Sequence, residues 1–322
     1  MDALSDVLKS VRLEGAFYIN AEFTAPWCIR GKCGQASVQQ RLAGADHVVY
    51  FHFIAEGGCK VRLADGTQVL DVAAGDLVLF PQDDRHLMGS DLRLAPLETE
   101  NLGYTPDAAG GDLIQMRHGG GGAATRFVCD YLACHRSVGR PLLDALPRVL
   151  RIPVGDAQAS ALLRELLRAA VNESSASRPG AASMLAKLSE LLFVEALRRY
   201  VENLPPQGKG WLAGVRDAQI GRALALLHGD PRRAWTVDAL AREVALSRSA
   251  LAERFAALVG ESPIQYLIRW RLALAAQMLR AGREAIARVA ERSGYESETA
   301  FSRAFRREFG LGPAAWRKAG PG

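Results

Sequence analysis

The stretch LAREVALSRSALAERF, residues 240–255, returns in altered form as VAERSGYESETAFSRAF, residues 289–305. Leu240, Ala241 and Leu246 reappear 49 positions later as Val289, Ala290 and Tyr295. After one inserted residue the offset becomes 50, and Leu251, Phe255, Gly260 and Pro263 are matched by Phe301, Phe305, Gly310 and Pro313. Apolar positions, the glycine and the proline persist while the polar residues between them change. Two copies of one packing unit, burying the same face and exposing different ones, leave this pattern.

Within each copy the local signals read helix, tight turn, helix. Thr236 is placed to cap a helix beginning at Val237, where Val237, Leu240, Ala241 and Val244 share one face. Only Ala245 and Leu246 separate that helix from the next, which Ser247 caps. In the second helix Ala250, Leu251, Arg254 and Phe255 turn inward, leaving Arg248, Ser249, Ala252 and Glu253 outside. In the second copy Ile286–Arg292 forms the first helix and Gly294 supplies the turn. Ser297 then opens a helix with Phe301, Phe305 and Phe309 as its buried stripe, and its outward face is Glu298, Thr299, Ser302, Arg303, Arg306 and Arg307. So short a connection forces the sharp crossing of a helix-turn-helix, whose second helix enters the DNA major groove. Between the copies, Pro263 and Gly282 bound one helix over 264–280, roughly 25 Å long at 1.5 Å per residue. A rigid spacer of that length suits two reading helices set near one turn of DNA, about 34 Å.

Charge follows the repeat. Residues 211–322 carry 18 Lys plus Arg against 11 Asp plus Glu, a net of +7, and 17 of the 18 are Arg; residues 1–210 carry 22 against 24. The planar guanidinium fork suits phosphates and guanine edges.

These residues carry a resemblance. From about Asp217 to Lys318 the chain resembles the DNA-binding domain of the AraC/XylS family of bacterial transcription regulators, through LAREVALSRSALAERF, GESPIQYLIRWRLALAAQMLR and IARVAERSGYESETAFSRAFRREFGLGPAAWR. The resemblance implies two recognition helices in successive major grooves. Carried over by position, the base-facing residues are Ser249, Ala252 and Glu253, then Glu298, Thr299, Ser302 and Arg303. Ala252 offers only a thymine methyl contact and Glu253 accepts only from cytosine, so base reading by the first copy is weaker.

The N-terminal part alternates like a β domain: VVYFHFIAEGG, CKVRLADGTQVL and GDLVLFP are short β-branched or aromatic runs between Gly, Asp and Pro turns. A closed barrel or jelly roll is the expectation for so few residues. GDLVLFPQDDRH resembles the second motif of the cupins, and YFHFIAE a degenerate first motif with Tyr50 where the family's metal sites place a histidine. Through TRFVCDYLACHRSVGRPLLDALPRVLRI the likeness is to the cupin-type sensor domain of a subset of AraC-like regulators. Two imidazoles and a carboxylate, His52, Glu56 and His86, suit a zinc or iron ion. Structural polar groups, or groups touching a small-molecule effector, are the alternative.

Cysteines form two C-x4-C pairs, Cys28 with Cys33 and Cys129 with Cys134, with Cys59 alone. Four thiols, with His135 adjacent, suit zinc or a switchable disulfide, and Arg30 and Lys32 are placed to lower the pKa of the first pair. Packed, inert thiols are the competing reading.

The expected fold is α+β, in three parts: a cupin-like β-barrel sensor at 1–150, a helical linker at 151–210 and a two-helix-turn-helix DNA-binding domain at 211–322, its units at about 237–256 and 286–309. In the linker, Leu185, Leu188, Leu191 and Leu192 suit either a homodimer interface or packing onto the barrel. The expected partners are promoter DNA and RNA polymerase, with no catalysis and a role as activator. MDALSDVLKSVRLEG has no continuous apolar core and nowhere do 18 apolar residues run together, so the expected location is the bacterial cytoplasm at the nucleoid, away from membranes. A metal-dependent cupin enzyme fused to a DNA-binding module is the alternative; it leaves the basic repeat without a purpose.

Overall fold

In the computed structural model, residues 2–11, 14–31, 45–99, 102, 104–106, 113–154, 161–174, 179–205, 207–282 and 284–319 are described. The chain divides into two compact units, Leu13–Cys134 with Leu146–Tyr200, and Met1–Arg12 with His135–Ala145 and Val201–Gly322.

The first unit is built on strands β1 (Glu14–Thr24), β2 (Cys28–Gly31), β3 (His47–Glu56), β4 (Gly58–Leu63), β5 (Leu70–Ala73), β6 (Asp76–Phe80), β7 (His86–Gly89), β8 (Leu97–Glu98), β9 (Tyr104–Pro106), β10 (Leu113–Gly119), β11 (Ala124–Cys134) and β12 (Leu150–Pro153). They form a seven-stranded sheet in the order β12-β6-β3-β11-β1-β10-β9 and a five-stranded sheet in the order β5-β4-β7-β2-β8. Pairing is antiparallel except for β1 with β10 and β2 with β8. The expected closed barrel is therefore two sheets sharing one core, to which Phe23, Ile54, Phe80 and Phe127 come from the larger and Ile29, Val61 and Met88 from the smaller. Side chains alternate along a strand, so every second residue of β3 and β11 enters that core while the registry sets which ones meet.

Helices α3 (Ala161–Ser174) and α4 (Ala181–Glu202) belong to this unit. Buried Ser189 of α4 shares its one hydroxyl hydrogen between the carboxylate of Asp130 on β11 and the Leu185 carbonyl, which lies 2.8 Å away. Leu185, Leu188 and Leu192 are buried, whereas Leu191 is 53% exposed. Three of the four leucines thus serve packing within the chain. Residues 151–154 and 161–200 group with the strands, and only the last residues of the expected linker group with the helical unit.

That helical unit comprises α1 (Ala3–Val11), α2 (Arg136–Leu143), α5 (Trp211–Arg216), α6 (Ala218–Gly229), α7 (Val237–Glu243), α8 (Arg248–Val259), α9 (Pro263–Ala281), α10 (Ile286–Arg292), α11 (Glu298–Phe309) and α12 (Pro313–Ala319). Two segments from the N-terminal half, α1 and α2, pack here: the Gln277 side chain of α9 donates to the Ser10 carbonyl at 2.9 Å, and Arg140 of α2 pairs with Glu308 of α11 at 3.4 Å. The cause is apolar, since Ala3, Leu4, Val7 and Val11 of α1 and Val138, Leu142 and Leu143 of α2 are buried. No helix among the described residues is long and apolar enough to cross a membrane.

Candidate nucleic-acid interface and sensor core

Each helix-turn-helix is set by the same few backbone devices. In the first, the Thr236 hydroxyl accepts from Ala239 N and the Ser247 hydroxyl from Ala250 N, at 3.1 Å each. The turn is closed by Leu246 N donating to Ala241 O at 2.9 Å. In the second, Tyr295 N donates to Ala290 O at 3.0 Å, and the Ser297 hydroxyl accepts from Ala300 N at 3.2 Å. Both recognition helices, α8 and α11, end on a left-handed glycine, Gly260 and Gly310. A single-residue left-handed stop satisfies the last carbonyls and turns the chain into the following proline-led helix. Between the copies, α9 spans 19 residues, about 28 Å at 1.5 Å per residue. It opens with a capping box of Ser262 and Gln265, with Pro263 at its first position.

The inward stripes are Leu251 and Phe255 on α8, and Phe301 and Phe305 on α11, all fully buried. Arg254 departs from the expected inward position: it is exposed, and its guanidinium grips the Asp217 carboxylate at 2.6 Å and Gln219 at 2.7 Å. That ties α8 to the cap of α6 and removes Arg254 from the cations free to meet DNA. On the outward faces, Arg248, Ser249, Glu253, Glu298, Thr299, Arg303, Arg306 and Arg307 are exposed, and Ala252 and Ser302 half-buried. Arg248 lies 3.5 Å from Asp238. By contrast Arg303, Arg306 and Arg307 take part in no ion pair among the described residues, so α11 presents three uncompensated guanidiniums along one face.

In the sandwich, the registry that pairs β3 with β11 puts His52 beside Cys129. His52 Nδ1 lies 2.7 Å from Cys129 Sγ and its Nε2 lies 2.8 Å from His86 Nε2, while His86 Nδ1 lies 3.1 Å from the Asp84 carbonyl. A carbonyl only accepts, so one set of protons satisfies the whole chain: Cys129 S–H donates to His52, His52 Nε2–H to His86, and His86 Nδ1–H to Asp84. Every member is then neutral. Burial agrees, lowering the pKa of His52 well below its usual value with help from the neighbouring His86, and lowering that of His86 to about 4. The His86 ring stacks on Phe80 with centroids 3.8 Å apart. Gly31 makes room for it, since a side-chain carbon there would meet His86 Nε2 at 2.5 Å.

Glu56 is elsewhere. It is exposed at the end of β3 and pairs with Arg126 at 3.0 Å. The expected trio of His52, Glu56 and His86 therefore does not converge, and both nitrogens of His52 are already engaged. Among the described residues no three His, Cys, Asp or Glu side chains are grouped to hold a metal ion. The donor set does not fit the metal of a catalytic cupin.

The thiols also differ from expectation. Cys33 lies outside the described residues. At Cys28, burial pushes the thiol pKa up and outweighs the Arg30 guanidinium that pulls it down. Burial pushes Cys59 up to about 12, with the Asp76 carboxylate adding, and raises Cys129 well above the usual value. Cys129 and Cys134 lie on the single strand β11, where five steps of about 3.3 Å separate them by roughly 16 Å, on opposite faces. A disulfide needs Cα atoms about 4.4–6.8 Å apart, so these two are not bridging partners in this fold. Spacing of x4 suits a loop or helix; an extended strand defeats it. Sequence reasoning missed the His52–Cys129 contact, whose signal lay in the pairing of two strands distant in sequence.

A duplicated helix-turn-helix with a cationic second face, carried by a chain whose other unit is a two-sheet sandwich, defines a regulator of the kind that joins a sensor to a DNA reader. Known proteins agree. A cupin family model matches residues 2–202, and a helix-turn-helix domain model matches 240–319. Over 324 residues the chain is 32% identical to an AraC-like transcription regulator of Streptomyces antibioticus, covering 99% of each. It is 30% identical over 320 residues to the HTH-type transcriptional regulator AlkR of Acinetobacter baylyi, again covering 99% of each. The DNA-binding domain of AdpA, solved with a target DNA, is similar at 31% identity over 32% of this chain and 93% of that one, with a TM-score of 0.31. The chain belongs to the AraC-like transcription regulators, with a cupin N-terminal part and a helix-turn-helix C-terminal part.

Proposed function

We propose that this regulator reads a promoter with both recognition helices, unequally. Ser249, Ala252 and Glu253 of α8 and Glu298, Thr299, Ser302 and Arg303 of α11 face base edges, while Arg248, Arg306 and Arg307 hold phosphates. The observation that supports this reading is the contrast in charge: Arg248 is matched by Asp238, whereas Arg303, Arg306 and Arg307 have no ion-pair partner among the described residues. Phosphate contacts position and base contacts specify, so α11 supplies most of the affinity and a guanine contact through Arg303.

A signal at the cupin-like unit modulates this binding. The neutral chain Cys129–His52–His86 and the raised thiols of Cys28, Cys59 and Cys129 support an organic effector over a metal ion or an oxidant, and support a non-enzymic role. Cys134 is likewise buried and forms no disulfide among the described residues. The regulator acts as an activator in the bacterial cytoplasm, at the nucleoid, with RNA polymerase as its protein partner. If it self-associates, exposed Met184 and Leu191, seven residues apart on α4, are the apolar contact. Footprinting of the full chain on the DNA upstream of its own and neighbouring genes tests the reading: two protected half-sites about one helical turn apart are expected, and protection of one half-site by α11 alone, or none, overturns it.

A further inference from the structure

One side chain reaches both helix-turn-helix copies from the helix between them. Arg271 stands near the middle of the spacer α9, half-buried, within the helical unit. One edge of its guanidinium donates to two carbonyls of the loop that joins α6 to α7: Nε to that of Pro231 and Nη2, at 2.9 Å, to that of Arg233. Its flat face meets the other copy. A side-chain carbon built on Gly294, in the turn of the second helix-turn-helix, would lie 3.2 Å from Cζ, 3.3 Å from Nε and 3.4 Å from Nη2. Three nearly equal distances mean that the plate of the guanidinium lies against the glycine.

The loop that Arg271 grips is closed on itself. Arg233 N donates to the Asp230 carboxylate at 3.1 Å, Trp235 N to the Arg233 carbonyl at 2.8 Å, and the Trp235 indole to the Asp230 carbonyl at 3.0 Å. The Arg233 guanidinium lies over the Trp235 ring, 3.9 Å from its centroid. The next residue, Thr236, is the cap of α7, so holding this loop holds the start of the first helix-turn-helix. Arg271 has no ion-pair partner among the described residues, and burial works against its charge, lowering its pKa from the ordinary value. A half-buried cation held by carbonyls alone opposes stability unless its donors are well placed. An apolar side chain of the same length would fill the space without that penalty, so the guanidinium marks a positional role.

We propose that Arg271 is the positioning residue that sets the phase of the two recognition helices: one edge fixes the loop ahead of the first copy, and one face seats the turn of the second. Only a planar fork does both, since the compact ammonium of lysine has neither the paired edge nor the flat face. Arg271 acts through the two copies and not on DNA itself, and it decides which half-site spacing the pair of helices accepts. That consequence rests on the two-helix reading above, whereas the strut itself is tested without DNA.

In the full chain, nitroxides carried on a ketone-bearing amino acid at exposed Ala256 of α8 and Ala300 of α11 report the distance between the copies by pulsed electron resonance. The wild type is expected to give one narrow distribution, and Arg271→Met and Arg271→Lys broad ones, with melting curves to show that both variants fold. The second measurement is affinity for three DNAs: the operator, the operator with one base pair inserted between its half-sites, which moves one of them by about 3.4 Å and about a tenth of a turn, and each half-site alone. The wild type's preference for the natural spacing should fall about tenfold in both variants, the effect of one lost charged hydrogen bond, while each isolated half-site binds as before. Distributions as narrow as the wild type's, an unchanged spacing preference, equal losses on isolated half-sites, or an Arg271→Lys variant that behaves as the wild type each overturn the assignment. A wild-type chain that protects no pair of half-sites sinks the two-helix reading instead, and the distance measurement alone then decides the strut.

Discussion

The two helix-turn-helix copies share a backbone and differ in everything that meets their surroundings. The first rests on a polar interior: the indole of Trp211 donates to the Tyr266 hydroxyl at 2.9 Å, that hydroxyl lies 2.7 Å from His228 Nε2, and Phe255 packs edge-on against Tyr266. The second rests on hydrocarbon: Phe305 touches the rings of Phe301, Phe309 and Trp316, and Phe309 touches Trp316. Outside, the order reverses: on its second helix the first copy pairs Arg248 with Asp238 and Arg254 with Asp217, while Arg303, Arg306 and Arg307 of the second take part in no ion pair among the described residues. Duplication thus preserved the scaffold and changed the surface: one copy is better matched in charge, and the other is the one the proposed reading makes the stronger DNA anchor.

The comparison is broken most severely through the spacer. Ala275, fully buried at the middle of α9, cannot become proline without losing a backbone donor and clashing with the preceding turn, a cost of about 3 kcal/mol. In Ala275→Pro the two copies lose their fixed phase, and a footprint should show the α11 half-site protected and the other lost. Next in size is the division of labour on DNA. Arg303→Ala should cost about 1 to 3 kcal/mol at the operator and relax preference at one base pair. Arg248→Ala should cost clearly less and leave preference intact. Binding to single-base operator variants measures both, and equal losses would erase the asymmetry.

Acid sharpens the comparison from within. Burial lowers the pKa of His228 from the ordinary 6.5 to about 3, so the folded unit refuses a proton that the unfolded chain binds. Stability from this group is present above about pH 6.5 and is lost as pH falls from there toward 3, amounting to about 2 kcal/mol at pH 5. The second copy has no histidine at all, since none follows His228 in the chain. Amide exchange, corrected for its intrinsic pH dependence, should therefore show α8 losing protection between pH 7 and pH 5 well before α11. The sandwich has its own buried histidine, His86, lowered to about 4, so its strands should weaken over the same range.

What could be read from the chain itself tracks the range of the forces involved. Caps, turn and inward stripes of both copies are decided within a dozen residues, and Thr236, Ser247, Gly294, Ser297 and the phenylalanines stand where their local chemistry puts them. The strands announced themselves by alternation, yet whether they close was not local, and they form two sheets. Least legible was destination. Nothing in ALSDVLKSV or RSVGRPLL says that these helices pack with the C-terminal module, because only the apolar faces already present there decide it. The sensor core failed in the same way: flanking charges at Cys28 were visible and its burial was not, and His52 met Cys129 through strand registry.

The smallest expected effect lies in the turns. Ala245 and Gly294 occupy equivalent positions, and both are left-handed, with φ of 55° and 77°. Glycine adopts that conformation freely, whereas an L side chain there is strained by about 1–2 kcal/mol. Replacing Ala245 with glycine relieves the strain but gives the unfolded chain more freedom, which returns about 0.5–1 kcal/mol. The net for Ala245→Gly is a gain of about 0.5 kcal/mol. Gly294→Ala runs the other way and meets a neighbour as well: the new carbon would lie 3.2 Å from Cζ of Arg271, whose guanidinium is held by the carbonyls of Pro231 and Arg233 and cannot easily withdraw. That variant should lose more than 1 kcal/mol. Urea midpoints of the two single variants, followed by tryptophan fluorescence, should move in opposite directions with the larger shift at Gly294. Shifts of the same sign would mean that the two turns, alike in φ, are not alike in strain.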